Sequence, residues 1–287
     1  GNFNNYGGAY LSGGGHTEFI RCVFEDNLAN RSGGALAIVS GSLTVTQSIF
    51  RNNGASRDGG AIFVGEAGTE ATIENCLFEG TTGTSNGGAV AVRDGALGRI
   101  YFCTVWGNVS RNGALISFAE GTLVVANSIV WGNTSPDDPQ QIPDANNGTL
   151  SILRTVVQYG ASGTDIVTDD PLFLDPENGD FRLQSDSPCV DFAHDQFQTT
   201  VDINGAQRPQ AASSDIGAFE FPADAPDADS DGIPDSYEGD IDTDEDETPD
   251  YLDTDSDNDA IPDSTERATD TDRDGIMNYR DDDSDGD

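Results

Sequence analysis

Aspartates at alternate positions dominate the C-terminal stretch of the chain, residues 227–287, and their pattern restarts several times. In the first loop, positions 1, 3, 5, 6, 9 and 12 hold Asp227, Asp229, Asp231, Gly232, Asp235 and Glu238. Oxygen ligands at this spacing wrap a twelve-residue loop round a calcium ion. Alternate side chains of an extended segment point to the same side, and they converge only if the backbone then turns sharply, which glycine at position 6 permits.

The same register returns in later loops, whose starts alternate fifteen and thirteen residues apart. The second loop has Asp242, Asp244, Asp246, Asp250 and Asp253; the third has Asp255, Asp257, Asp259, Asp263 and Glu266; the fourth has Asp270, Asp272, Asp274, Asn278 and Asp281; a fifth opens with Asp283, Asp285 and Asp287. Position 7, which would offer its backbone carbonyl as a ligand, is held by Ile233, Thr248, Ile261 and Ile276. The pattern predicts about four or more calcium ions, because Ca²⁺ accepts six to eight oxygens in loose geometry.

These loops differ from EF-hands, because the short spacing between them leaves no room for a helix on each side. Apolar residues are few here, so we expect bound ions to replace a hydrophobic core and folding to depend on calcium. The alternative is a solvated acidic tail, which is the usual nature of a charge run. Regular turn residues and prolines within the pattern favour the metal-binding interpretation.

One segment, Asp229-Ser-Asp231-Gly232-Ile233-Pro234-Asp235, resembles the bacterial form of thrombospondin type 3 repeats, whose D-x-D-x-D-G-I-P-D units wind round a string of calcium ions. The second and third loops depart from that pattern with Glu247 and Ala260 at the turn position, and the cysteines of the animal versions are absent. Extracellular calcium modules bind at about 0.1–1 mM, which predicts an extracellular protein, secreted or on the cell surface.

A different repeat fills residues 1–168. Gly-Gly-Ala recurs at intervals of 26 to 28 residues, beginning at Gly7, Gly33, Gly59 and Gly87. Between these Gly-Gly-Ala motifs lie short runs of β-branched residues without helical periodicity. A unit of this size must stack on its copies to bury its apolar face. The repeat predicts an all-β parallel β-helix, with Phe24, Phe50 and Phe78 in one ladder and Asn27, Asn53, Asn108 and Asn133 in another.

This style of repeat resembles the right-handed β-helices of bacterial surface proteins, including the polymorphic outer-membrane proteins. The resemblance implies a right-handed parallel β-helix and specifies fold better than function. Cys22, Cys76 and Cys103 share a column with serine and threonine and are expected to be small core residues. A disulfide between Cys76 and Cys103 on successive coils is left open.

Residues 169–221 do not repeat, and they resemble the C-terminal block of secreted β-helix proteins that carry a choice-of-anchor domain. This resemblance implies that the block caps the coil. A cap is expected because the last coil would otherwise present unpaired backbone groups. Residues 222–226 predict a short stiff linker to the calcium-binding segment, residues 222–287.

The amino-acid composition limits the classes of molecule that the chain could bind. The net charge is −39 and all 13 basic residues are arginine, which argues against binding to nucleic acid or anionic membrane. The sequence has no run of transmembrane length and does not open with a secretory leader.

An enzyme acting on polysaccharides is the rival interpretation, because many β-helices cleave such polymers. It would need a calcium-binding carboxylate cluster and a base. With no lysine and only His16 and His194, the base would have to be arginine, and Arg93, Arg99 and Arg111 are the nearest set, with Asp94 beside them. No paired-carboxylate pattern accompanies them, so we expect no catalysis. The sequence favours a structural or adhesive protein of a bacterial surface or matrix, with a polysaccharide or a matrix protein left open as ligand.

The ends of the chain suggest one more hypothesis. The sequence begins inside a coil and stops inside a calcium loop. If these are mature ends, copies would stack head to tail into a fibre, because open β edges template association. If the natural protein is longer, a capped monomer is expected instead.

Overall fold

The computed structural model describes residues 6–136, 140–143, 147–159, 161–222, 226–268, 271 and 276–284. Five of the predicted metal ligands lie outside the described residues: Asp270, Asp272, Asp274, Asp285 and Asp287. Within the described residues, no helix is long and apolar enough to cross a lipid bilayer.

Short strands make up most of the fold. They are β1 (Tyr10–Ile20), β2 (Val23–Glu25), β3 (Leu28–Ala29), β4 (Leu36–Thr46), β5 (Ile49–Arg51), β6 (Gly54–Ala55), β7 (Ile62–Val64), β8 (Glu70–Glu74), β9 (Leu77–Glu79), β10 (Thr82–Asn86), β11 (Val90–Arg93), β12 (Leu97–Tyr101), β13 (Thr104–Trp106), β14 (Val109–Asn112), β15 (Leu115–Phe118), β16 (Thr122–Ala126), β17 (Ile129–Trp131), β18 (Thr149–Leu153), β19 (Val156–Val157), β20 (Phe173–Asp175) and β21 (Asp180–Leu183). Two helical turns, α1 (Asp235–Glu238) and α2 (Asp263–Glu266), and the 3₁₀ turns Pro176–Asn178, Asp250–Leu252 and Asn278–Arg280 lie among loops.

From β1 to β19 each strand pairs in parallel with the equivalent strand of a neighbouring repeat. Val45 on β4 pairs with Ile73 on β8, which in turn pairs with Ile100 on β12. The strands form sheets of nine, four and six members that run along the stack. The predicted parallel β-helix is therefore confirmed, and its interior is one continuous apolar core.

Ladders of identical side chains connect the coils as predicted. The rings of Phe24, Phe50 and Phe78 stack with centroids 4.8 Å apart, which is the spacing of neighbouring strands. In the asparagine ladder, Asn108 Nδ2 donates to Asn133 Oδ1 at 2.8 Å. Thr81 replaces asparagine in one coil, and its Oγ1 donates to Asn108 Oδ1 at 2.7 Å.

The column of cysteine, serine and threonine has a structural role at one corner. In each coil, the residue that precedes this position has a left-handed backbone conformation, as at Gln47 with φ of 49° and Asn75 with φ of 50°. The next side chain donates back across the turn: Ser48 Oγ to the Thr46 carbonyl at 2.8 Å, and the Cys76 thiol to the Glu74 carbonyl at 3.2 Å. A small hydrogen-bond donor therefore suits this position, and all four cysteines are free thiols.

The non-repeating block lies along the side of the β-helix. Apolar residues of the coils that face outward, including Phe102 and Ile129, pack with Phe181 and Ile216 of the block. Side chains at the left-handed corners hold it in place: Asn75 Nδ2 donates to Thr199 Oγ1 at 2.9 Å. The block covers an apolar outer face across successive coils, where the sequence had led us to expect a cap over the end.

The end of the coil is covered by a shorter segment. Thr164 forms a parallel bridge with Leu153 and Val167 forms one with Val156, so residues 164–167 continue the winding past β18 and β19. Ala161 and Ile166 pack against the end of the main core.

The Asp-rich segment docks on the lateral block through a small apolar cluster. Leu174 of the block packs with Ile233, Ala268 and Tyr279 of the segment. The Tyr237 hydroxyl donates to the Leu183 carbonyl at 3.2 Å, and further contact comes from an ion pair between Arg267 and Asp186. Some apolar burial therefore supports a segment that we expected to depend on ions alone. The predicted linker, residues 222–226, lies partly outside the described residues.

Candidate metal centre

The first loop brings its alternate aspartates together as predicted. Carboxylate oxygens of Asp227, Asp229 and Asp231 lie within 4.8 Å of one another. The turn comes at Gly232, whose φ is 97°. The Gly232 N–H donates to Asp227 Oδ2 at 3.2 Å and the Ile233 N–H donates to Asp231 Oδ1 at 2.7 Å.

The second and third loops keep this geometry although they lack glycine at position 6. Their aspartate trios also lie within 4.8 Å, and the trios are Asp242, Asp244 and Asp246, and Asp255, Asp257 and Asp259. At the turn, Glu247 has φ of 79° and Ala260 has φ of 76°. A non-glycine residue in this region is strained by about 1–2 kcal/mol. The departures from the repeat pattern therefore change the local strain and leave the ligand arrangement intact.

In the aspartate trio of the first loop, the two oxygens of each carboxylate have different surroundings. One oxygen of Asp227, Asp229 and Asp231 accepts a backbone N–H of the loop. The other oxygen of each residue is buried and has no hydrogen-bond partner among the described residues. In the third loop Asp257 does the same: Oδ1 accepts the Asp259 N–H at 3.1 Å and Oδ2 is buried without a partner. Buried anionic oxygens without donors are unfavourable unless a cation neutralises them.

The carboxylates at position 12 of the first and third loops are buried. Glu238 is 1% exposed, and neither of its carboxylate oxygens has a hydrogen-bond partner. Burial, followed by the negative charges of Asp231 and Asp229, raises the pKa of Glu238 to about 9. Burial and the charge of Asp257 likewise raise the pKa of Glu266 to about 8. The position 12 carboxylates of these two loops are therefore buried among the negative charges of nearby aspartates.

The side chain at position 9 forms hydrogen bonds within its own loop. Asp263 accepts the Ser256 N–H at 2.9 Å on Oδ1 and the Ser256 hydroxyl at 2.6 Å on Oδ2. The equivalent Asp250 accepts the same two bonds from Thr243, both at 2.9 Å. In the fourth loop Asn278 accepts the N–H of residue 271 at 2.9 Å. These side chains tie position 9 to position 2, a role that the ligand spacing alone did not reveal.

The alternation of fifteen and thirteen residues corresponds to two kinds of loop. The first and third loops end in the α-helical turns α1 and α2, carry glutamate at position 12, and continue through a left-handed residue. The second and fourth end in 3₁₀ turns and carry aspartate at position 12. The true repeat is thus a pair of loops, 28 residues long.

The remaining predicted ligands occupy varied surroundings. Ile233 at position 7 is buried in the apolar cluster, whereas Ile261 and Ile276 are exposed. Asp281 is buried at position 12 of the fourth loop, and its Oδ1 accepts the Asp283 N–H at 3.1 Å.

A family model described as the right-handed β-helix region matches residues 3–148, about half of the chain. The chain belongs to the right-handed β-helix family. No curated protein and no solved structure matches it. The matched residues of the β-helix end before the lateral block and the Asp-rich loops, so the proposed metal centre rests on the geometry above.

The polar residues considered for catalysis on the β-helix coils are dispersed. Arg93 Nε lies 2.7 Å from Asp94, and Arg99 Nη1 lies 2.9 Å from Glu70. Arg111 stands on β14, in a different sheet from both. Within the described residues, the carboxylate groups that are close enough to share a metal all lie in the Asp-rich loops.

Proposed function

We propose that this chain is an extracellular calcium-binding protein of a bacterial surface or matrix, with a structural or adhesive role. The β-helix is its rigid rod. The Asp-rich loops, of the thrombospondin type 3 kind, take up calcium and are held against the side of that rod. The observation that supports calcium binding best is the division of carboxylate oxygens, one bonded to the backbone and the other buried and unpartnered.

The donor set favours calcium over other ions. Every grouping contains only carboxylate oxygens, the hard ligands that Ca²⁺ and Mg²⁺ prefer to transition metals. Several carboxylates on short irregular loops suit the loose coordination of Ca²⁺ better than the strict octahedron of Mg²⁺. The net charge of −39 adds a field that concentrates cations round the chain.

Calcium would also determine how the loops contribute to adhesion. Without it, the crowded carboxylates repel one another and oppose docking through Tyr237 and Arg267. With it, the segment becomes a stiff extension of the rod. A further copy of the chain, a surface polysaccharide or another matrix protein would then meet a surface of defined shape.

Calcium titration of the full chain tests this proposal. The protein is stripped with a chelator, and uptake is followed by isothermal titration calorimetry, with far-UV circular dichroism and light scattering at each end point. We expect several ions to bind in the millimolar range or tighter and the chain to become more compact. The variant Asp229→Asn should weaken uptake, while the exposed Glu120→Gln serves as a charge control. A chain that takes up no calcium at 5 mM, about five times the weak limit of such modules, would refute the proposal.

A further inference from the structure

One grouping of carboxylates joins two loops that are not neighbours in sequence. Oxygens of Asp231 and Glu238, from the first loop, lie within 4.8 Å of an oxygen of Asp263, from the third. Asp263 is fully buried and Glu238 is 1% exposed. Calcium–oxygen distances are about 2.3–2.6 Å, so oxygens round one ion lie within about 5 Å of one another, and this grouping meets that condition.

Glu238 supplies an independent sign that a cation belongs at this place. Both of its carboxylate oxygens are buried without a hydrogen-bond partner, as is Oδ2 of Asp231. The nearby guanidinium of Arg280 is directed elsewhere: its Nε donates to Asp250 at 2.5 Å, and its Nη2 donates to the backbone carbonyl of Glu238. Within the part of the chain that the structure describes, the carboxylate of Glu238 therefore lies in a cluster of negative charge without a hydrogen-bond donor.

This inter-loop grouping is distinct from the aspartate trio of the first loop. The two groupings share Asp231 and no other residue. An EF-hand ion gathers positions 1, 3, 5 and 12 of one loop in a single shell. Here Glu238 at position 12 lies instead with Asp263 of the third loop, which divides the ligands between two centres.

We infer that a second calcium ion binds between the first and third loops, held by Asp231, Glu238 and Asp263, with Asp231 bridging it to the ion of the first loop. The inference rests on the proposed calcium-binding function. This ion ties together loops separated by the whole of the second loop. Asn258 of the third loop also donates to Asp244 of the second, so the three loops form one connected unit.

The variant Asp263→Asn isolates the inter-loop ligand. The fourth loop already carries asparagine at position 9, where Asn278 Nδ2 donates to the hydroxyl of Thr271 at 2.8 Å and its carbonyl accepts the N–H of that residue. Asparagine at 263 can therefore keep both bonds to Ser256 and remove only the negative charge. The control is Asp240→Asn, which removes the charge of an exposed aspartate that is not a predicted ligand and belongs to none of the described groupings.

Calorimetric calcium titrations of the full chain compare wild type, Asp263→Asn, Glu238→Gln, the double variant of these two, and Asp240→Asn. We expect Asp263→Asn and Glu238→Gln each to weaken the binding of one ion about tenfold or more. The double variant should lose no further ion, because both residues hold the same one. Asp240→Asn should titrate like wild type. Far-UV circular dichroism confirms that each variant retains the β-helix.

Two results would overturn the inference. One is a titration of Asp263→Asn that matches that of Asp240→Asn. The other is a double variant that loses two ions where each single variant loses one. In both cases the wild type still takes up calcium, so the proposed function would survive. A wild type without calcium uptake would instead remove that function and this inference together.

Discussion

The turn residue of the third loop offers a direct test of the loop geometry. Ala260 stands at position 6 with φ of 76°, a left-handed conformation that glycine adopts without strain. Its side chain is exposed, so Ala260→Gly removes little packing. The variant should therefore stabilise the folded loop and strengthen its calcium binding.

The expected gain follows from two opposing terms. Relief of the left-handed strain contributes about 1–2 kcal/mol. Glycine also gives the unfolded chain more freedom, which offsets about 0.4–1 kcal/mol. A net gain of about 0.5–1 kcal/mol remains, which is about two- to fivefold in the calcium affinity of a loop that folds as it binds.

Gly232→Ala in the first loop is the reciprocal change. Gly232 has φ of 97°, and a Cβ built there meets no atom within 4 Å, so the substitution adds backbone strain without a clash. Calcium titration and thermal denaturation of both variants give the measurement. Affinity should rise in Ala260→Gly and fall by a similar factor in Gly232→Ala. A fall in both, or no change in either, would refute the assignment of position 6 as the strained turn.

Three further predictions concern protonation and the β-helix core. Burial raises the pKa of Glu238 to about 9 and that of Asp215 to about 7, so the folded chain holds protons that the unfolded chain releases. Without calcium, the free energy of unfolding should therefore fall as the pH rises from about 5 to 9, and melting in chelator at pH 5 and pH 8 checks this; a higher midpoint at pH 8 would contradict it. Phe50→Ala should cost about 3–5 kcal/mol in urea denaturation, against less than about 0.5 kcal/mol for Leu28→Ala, which is 78% exposed. Asn108→Leu should cost about 3 kcal/mol or more in the same assay, because it leaves buried partners on neighbouring coils unsatisfied; a loss below about 1 kcal/mol would show that the ladder contributes little.

Local periodicity was sufficient for much of the fold. Repeats of 26 to 28 residues predicted the parallel coils and the ladders through Phe50 and Asn108, because in-register stacking places equivalent residues one strand apart. Alternation of aspartates predicted the converging trios, because the side-chain period of an extended segment is two residues. The sequence was less informative about the apolar cluster of the Asp-rich segment, where Ile233 and Tyr279 pack against the lateral block.

Contacts between distant segments were decided only by the tertiary structure. The sequence carried no sign that the block of residues 169–221 would lie along the coils, held by corner side chains such as Asn75 and Arg154. Nor did it indicate that Asp263 would meet Asp231 and Glu238 across an intervening loop. A repeated sequence determines the geometry of one unit and its packing on the next unit, and in this protein the sequence alone determined both. The packing of distant segments on one another depends on which apolar faces and charges are still uncovered once the repeats have stacked. Only the tertiary structure shows which faces and charges these are.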